Sequence, residues 1–363
     1  MGWSLKLGRI SGIKVVMHWT FFLLLGWIVI SEINQGSDNQ TILYTVAYVL
    51  SIFTCVVLHE FGHALTARRF GIHTPRVTLL PIGGVASLER MPRKPKQELL
   101  VASAGPAVNV VLAGILVILG GINIDTFFQY EKIESLREIG PRNFLYALAL
   151  VNIFLVLFNA IPAFPMDGGR ILRALLSFRI RRSKATSIAA GLGQLVGVAF
   201  IVLGLFGNLI LALIGVFVIA GARSENAMVQ QQEALTGHSV KEAMRLQYTT
   251  LNKNDSLTTA TEKLLAGSEN DFLVLDEGKP TGVLTKERLV KAAHEHEDHD
   301  LEVGRFAMTD IQSLEASDAL NEAARIIQQD RNKQKVYPVY SNGKVSGILD
   351  GQNLQEYIMV QSS

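Results

Sequence analysis

His59-Glu60-Phe61-Gly62-His63 sets two imidazoles four residues apart, with a carboxylate beside the first. On a helix this spacing puts both histidines on one face. Two ring nitrogens can then meet one metal ion, while Glu60 is turned toward the water such an ion would hold. The chemistry served by these residue types is hydrolysis, with a Lewis acid for a carbonyl and a carboxylate base for water. A chance match on a solvated helix face is the plain alternative. Against it stands the run from Ile42 to Leu58, which is uncharged and apolar. Two histidines and a carboxylate near membrane depth are costly unless they coordinate an ion or line a wet cavity.

A catalytic zinc ordinarily takes three protein ligands and leaves a position for water, so the helix alone is one ligand short. Asp167 is the candidate for the third. It lies in Asn159-Ala160-Ile161-Pro162-Ala163-Phe164-Pro165-Met166-Asp167-Gly168-Gly169, where two prolines break a helix and two glycines permit close backbone approach. The competing reading has Asp167 capping a helix that starts near Gly168.

The elements that must carry these residues are membrane helices. The 363 residues are 49% hydrophobic and 18% charged, but these averages cover two unlike parts, an apolar stretch to about residue 222 and a polar remainder. Apolar runs at 16–31, 42–65, 99–120, 143–161, 186–206 and 208–222 each approach the roughly 20 residues needed to cross about 30 Å. This predicts six spans, the last two able to form a tight hairpin through Phe206-Gly207-Asn208. At 1.5 Å per residue, Ile42 to Leu58 covers about 26 Å before His59 is reached.

Basic residues orient the spans. Lys6, Arg9 and Lys14 precede the first, and the loop after it carries Glu32 and Asp38 but no Lys or Arg. Arg68, Arg69, Arg76, Arg90, Arg93, Lys94 and Lys96 follow the second; Arg170, Arg173, Arg179, Arg181, Arg182 and Lys184 follow the fourth. Both ends of the chain are therefore expected on the cytoplasmic side, and the metal site toward that face. The first span begins like a signal peptide but lacks a small-residue cleavage site, so it is read as a mature helix. A net charge of +2 with no basic patch argues against a nucleic-acid partner. Cys55, the only cysteine, excludes an intramolecular disulfide and a cysteine-based metal site.

Directly after the metal helix, Thr74 to Glu89 reads as a hairpin: Val77-Thr78-Leu79-Leu80 and Val85-Ala86-Ser87-Leu88 around Pro81-Ile82-Gly83-Gly84. Its edge could pair with an unwound substrate segment by strand addition, or it could be an ordinary surface hairpin.

A membrane-embedded H-E-x-x-H together with N-x-x-P-x-x-P-x-D-G closely resembles the site-2 protease family of intramembrane zinc metalloproteases. The segment Ala104-Gly105-Pro106-Ala107-Val108-Asn109 looks like the family's G-P-x-x-N element, so the resemblance covers roughly residues 1–222. It implies one zinc ion per chain bound by His59, His63 and Asp167, with Glu60 as general base. It also implies that Asn109 and Asn159 help position the substrate main chain or the oxyanion, and that the hairpin containing Gly83 and Gly84 is membrane-associated. Either asparagine could instead satisfy interhelical backbone groups. The substrates implied are membrane-anchored proteins cut in or near a transmembrane segment. The competing class is a transporter or channel, which has no particular need for a base beside the first histidine.

Residues 237–363 hold a weak internal repeat of about 60–65 residues. Val240-Lys241-Glu242-Ala243-Met244, Leu273-Val274-Leu275 and Gly282-Val283-Leu284-Thr285 are echoed by Val303-Gly304-Arg305-Phe306-Ala307-Met308, Tyr337-Pro338-Val339-Tyr340 and Gly347-Ile348-Leu349-Asp350. This resembles a tandem cystathionine-β-synthase (CBS) pair, which implies adenine-nucleotide binding with Thr285 and Asp350 at the ribose, or homodimerisation. Arg288 and Asn353 stand where nucleotide-binding members have Asp, which puts binding in doubt. His294, His296 and His299, among Glu295, Glu297, Asp298 and Asp300, read as a solvated linker between the repeats rather than a metal trap.

The expected architecture is thus a polytopic α-helical membrane protein of about six transmembrane helices with a short membrane-associated β-hairpin, followed by a soluble α/β CBS pair. The boundaries are 1–222 for the membrane part, 223–236 for a linker and 237–363 for the pair. The location implied is a cell, or inner, membrane, with the lipid bilayer itself as a partner.

Overall fold

The computed structural model describes residues 4–361 apart from 82, 87–90, 124–126, 130–138, 268, 297–299, 331 and 333. The chain divides into two compact units, Met1–Ala227 and Met228–Ser363.

In the first unit, each of the six expected apolar runs is helical over most of its length, the first only from Thr20. Helices α2 (Asn39–Arg68), α3 (Pro95–Leu119), α6 (Arg182–Leu205) and α7 (Leu209–Ala234) are long and apolar enough to cross a membrane; α1 (Thr20–Asn34) and α4 (Phe144–Ala160) are shorter. Large apolar side chains such as Leu43, Val111, Ile118, Leu195 and Phe217 are exposed on these helices. An apolar exterior on helices of this length is covered by lipid, which makes the chain an integral membrane protein. Helix α7 extends to Ala234, so most of the segment expected as a linker at 223–236 is helical.

Close approach between helices rests on small residues. A Cβ on Gly62 of α2 would lie 2.6 Å from the carbonyl oxygen of Ala104 in α3. One on Gly197 of α6 would lie 2.8 Å from that of Gly215 in α7. Without a hydrophobic drive between helices in lipid, such backbone proximity is what packs them.

The amino-terminal segment departs from expectation. Instead of a first span beginning at residue 16, strands β1 (Ser4–Ile10) and β2 (Ile13–His18) form an antiparallel hairpin, and α1 starts at Thr20. Ser11 and Gly12 link the strands with φ of 50° and 84°, both in the left-handed region that a two-residue hairpin turn requires. Strand β2 then pairs in parallel with β3 (Arg76–Leu80), which pairs with β4 (Gly83–Ala86), giving a four-stranded sheet in the order β1-β2-β3-β4. The expected hairpin after the metal helix is therefore present but is one half of a larger sheet. Gly83 and Gly84 lie in β4, opposite Leu80 and Leu79, rather than in the turn. Ser87 and Leu88 of the expected second strand, and Glu89 at the end of the expected hairpin, lie outside the described residues.

Arg173 and Arg182, expected among the loop charges that mark the cytoplasmic side, are structural instead. Arg173, on the short helix α5 (Asp167–Leu176), is fully buried. Its Nε donates to Glu98 Oε1 of α3 at 2.7 Å and its Nη1 to Glu225 Oε1 of α7 at 2.9 Å, while Arg182 Nη1 stands 3.0 Å from Glu98 Oε2. Glu98 and Arg173 together join four helices, and breaking such a buried pair typically costs about 3–5 kcal/mol.

The second unit contains two three-stranded sheets of matching topology. In one, β5 (Thr250–Asn252) runs parallel to β6 (Asp271–Asp276), which is antiparallel to β7 (Lys279–Thr285). In the other, β8 (Leu314–Glu315), β9 (Val336–Ser341) and β10 (Lys344–Asp350) repeat the arrangement. Leu273 and Val283 pack against Val336 and Ile348, so one apolar cluster joins the two repeats. Helix α8 (Val240–Ala243) opens the first repeat with a Ser239–Glu242 capping box. Helices α9 (Leu257–Ala266) and α10 (Lys286–Glu295) accompany the first sheet in sequence, α11 (Leu320–Gln329) and α12 (Gly351–Gln361) the second. His294 and His296 fall at the end of α10, and His299 lies outside the described residues.

Candidate metal centre

Two chain segments bring three side chains to one point inside the first unit. His59 and His63 occupy successive turns of α2, and Asp167 is the first residue of α5. Met166 occupies the position that caps α5, and the Asp167 carboxylate reaches the histidines instead. Its Oδ2 lies 3.1 Å from His59 Nε2 and 3.1 Å from His63 Nε2, and the two Nε2 atoms are themselves 3.1 Å apart. All three side chains are buried.

The loop that delivers Asp167 is wedged between helices. Ala163, Phe164 and Met166 are almost fully buried, and Phe164 N–H donates to the Ala189 carbonyl of α6 at 3.2 Å. A Cβ on Gly193 would collide with the Phe164 carbonyl oxygen, and one on Gly169 would lie 2.5 Å from backbone atoms of Ala163 and Phe164. The Arg173 guanidinium sits 4.8 Å from the Phe164 ring centre, so the buried ion cluster braces the same loop.

This donor set fits zinc. In a tetrahedral site with ligand bonds near 2.0–2.1 Å, ligand atoms stand roughly 3.3 Å from one another, close to the 3.1 Å observed. Both histidines commit their other nitrogen elsewhere: His63 Nδ1 faces the Val101 carbonyl at 2.8 Å and His59 Nδ1 faces Asn109 Oδ1 at 2.7 Å. Nδ1–H donation to an acceptor leaves an Nε2 lone pair for the metal. One buried carboxylate and two buried imidazoles form a hard and borderline set of the kind zinc accepts.

The third helix approaches through Gly105 of α3. A Cβ there would lie 2.6 Å from His59 Nε2 and closer still to His63 Nε2. Gly105→Ala is therefore expected to displace both rings and weaken zinc binding at least about tenfold, read as zinc per chain after dialysis against a weak chelator. Wild-type zinc content in that variant would remove the close-packing argument.

Glu60 is half-buried, and β4 lies over it. A Cβ on Gly84 would come within 3.1 Å of Glu60 Cγ and 2.9 Å of Val56 Cγ1, so the sheet edge passes directly above the carboxylate-bearing turn. Of the two asparagines expected at the substrate, Asn109 is buried behind His59, with its other end donating to Asn152 Oδ1 at 3.2 Å. That geometry sets it against the histidine. Asn159 donates to the Leu155 carbonyl of its own helix at 2.9 Å. Asn152, Val101 and Arg170, whose Nη1 is 4.0 Å from Asp167 Oδ1, are neighbours that sequence reasoning missed. None of the three carries a spacing signal. In the second unit, the Thr285 hydroxyl caps α10 by accepting from Arg288 N–H at 3.4 Å, and the Asp350 carboxylate accepts from Asn353 N–H at 2.8 Å.

Comparison with known proteins agrees with both units. The model of peptidase family M50 matches residues 47–205, and that of the CBS domain matches residues 240–295. A zinc metalloprotease of Methanocaldococcus jannaschii is 34% identical over 285 residues, which span 78% of this chain and 78% of that protein. Stage IV sporulation protein FB of Bacillus subtilis is 28% identical over 138 residues, 38% of this chain and 43% of that protein. Among solved structures, the site-2 protease from Methanocaldococcus jannaschii covers 62% of this chain and 95% of its own, at 38% identity and a TM-score of 0.45.

Proposed function

Since this chain belongs to peptidase family M50, the site-2 protease family of zinc metalloproteases, we propose that it hydrolyses peptide bonds in or beside the transmembrane segments of membrane-anchored proteins. Family membership decides for the hydrolase over the transporter. The observation that carries the finer reading is the convergence of His59, His63 and Asp167 within a membrane helix bundle, one residue from Glu60.

Zinc held by these three side chains, one ion per chain, would supply Lewis acidity to a peptide carbonyl and bring the pKa of a water toward about 7. Glu60 would accept a proton from the attacking water and hand it to the leaving amine. Asn109 and the Val101 carbonyl hold the two rings in register while this happens. The buried site keeps bulk water away from the reacting groups.

A transmembrane substrate helix hides its peptide bonds in internal hydrogen bonds, so the segment to be cut must be extended before attack. Strand β4, with Gly83 and Gly84, stands at the edge of its sheet directly over Glu60 and would hold the unwound segment by strand addition. Successive strand residues turn their N–H groups to opposite edges, so of Val85→Pro and Ala86→Pro one deletes a donor from the free edge. Zinc content should persist in both variants while cleavage of a reconstituted single-span substrate falls at least about tenfold in one of them. Unchanged cleavage in both would exclude this edge as the clamp. Asn159 remains a candidate contact for the substrate main chain.

The basic residues at the chain start and after α2 support a cell-membrane orientation with both chain ends and the CBS pair cytoplasmic. For the pair, the reading is regulation through an adenine nucleotide, with Thr285 and Asp350 at matching ends of β7 and β10 facing the ribose, and homodimerisation through the same module.

A further inference from the structure

Two buried asparagines connect His59 to a backbone carbonyl four residues along another helix. Asn152, on α4, lies 2.8 Å through Nδ2 from the Leu148 carbonyl oxygen, and 3.4 Å from Cys55 Sγ. Its Oδ1 receives Asn109 Nδ2 at 3.2 Å, and Asn109 Oδ1 meets His59 Nδ1 at 2.7 Å. Both asparagines are 0% exposed.

The polarity of this chain is fixed from one end. A backbone carbonyl accepts only, so the amide end of Asn152 facing Leu148 must be its NH2. Its oxygen is therefore left for Asn109, which must present its own NH2 there and its oxygen to His59. His59 Nδ1 then has to carry a proton, and its Nε2 keeps the lone pair. His63 obtains the same result directly, because its Nδ1 faces the Val101 carbonyl. A free amide such as Asn109 has no intrinsic preference for which end it offers a histidine. Reversed, it would offer N–H to Nδ1 and leave the hydrogen on Nε2, where the ligand lone pair is needed. For two asparagines at 0% exposure, an unmatched donor or acceptor is costly, so the chain holds one arrangement.

We infer that Asn152 is a positioning residue for the metal centre, setting through Asn109 the tautomer in which His59 can bind the ion. This rests on the reading that His59, His63 and Asp167 hold zinc, and one control separates the two: His63→Ala must lose zinc for that reading to stand.

The test is zinc affinity of the full chain in detergent, measured by competition with a chelator of known strength. Asn152→Leu removes the acceptor and should weaken zinc about 10–100-fold, the range typical for partners behind a ligand histidine. Asn152→Asp, carrying a proton on the oxygen that faces the Leu148 carbonyl, keeps both a donor there and an acceptor for Asn109 and should stay within about threefold of wild type. Asn109→Asp combined with Asn152→Leu should recover most of the loss, because a carboxylate accepts at either oxygen and needs no orienting. Packing alone would give the opposite order, with the apolar leucine tolerated, the buried aspartate harmful and no recovery in the double variant. That order, or wild-type affinity in Asn152→Leu, overturns the inference. Should the leucine variant not fold, Asn152→Ala carries the same expectation against Asn152→Asp.

Discussion

Glu60→Gln is expected to keep its zinc and its fold while losing peptide hydrolysis by about 10²–10⁴-fold or more, the usual contribution of a general base. The carboxamide matches the carboxylate in size, so the packing of Gly84 against this side chain is undisturbed. What is lost is the capacity to take a proton from water and return it to the leaving amine. Initial cleavage rates on a reconstituted single-span substrate, alongside metal analysis of the same preparations, check both halves of the expectation. A wild-type rate in this variant would dismiss Glu60 as the base and with it the hydrolytic mechanism.

Asp167→Ala should empty the metal site. Its Oδ2 is the only carboxylate oxygen in the three-donor cluster, 3.1 Å from each histidine nitrogen. Without it two imidazoles remain, and two ligands hold zinc far more weakly than three. Zinc should fall from about one ion per chain to below about a tenth under conditions that leave wild type loaded. The cap of α5 at Met166 is unchanged by the substitution, so helicity by circular dichroism should persist. Full occupancy in Asp167→Ala would remove this residue from the ligand set.

The chemistry was legible where it depended on local periodicity. Residues four apart on a helix share a face, so His59 and His63 could be paired without knowing their surroundings, and the prolines before Asp167 marked a chain break that could bring in a third donor. Six helical runs were legible from length and hydropathy for the same reason. What escaped depended on tertiary partners. Asn152 is one polar residue in an apolar helix, and only the meeting of α2, α3 and α4 shows it behind Asn109. Arg173 and Arg182 read as loop charges, because nothing local distinguishes an arginine in water from one held by Glu98 and Glu225. The β1–β2 hairpin was hidden because its second strand runs into the apolar stretch of α1, and hydropathy averaged the two into one span. Gly83 and Gly84 were assigned to a turn on their residue type, whereas Gly84 is glycine because Val56 and Glu60 occupy the place of a side chain.

The central claim is that this membrane-embedded centre hydrolyses peptide bonds of membrane-spanning substrates, and mass mapping of the products tests it most directly. The zinc-loaded protein would be reconstituted in liposomes with single-span substrates, and both fragments of any cleaved substrate weighed. Two fragments whose masses sum to the substrate plus one water, with the new ends in or beside the span, and their absence with Glu60→Gln, are the predicted result. Intact substrates with fully loaded wild type, or cuts confined to soluble regions far from the bilayer, would contradict it.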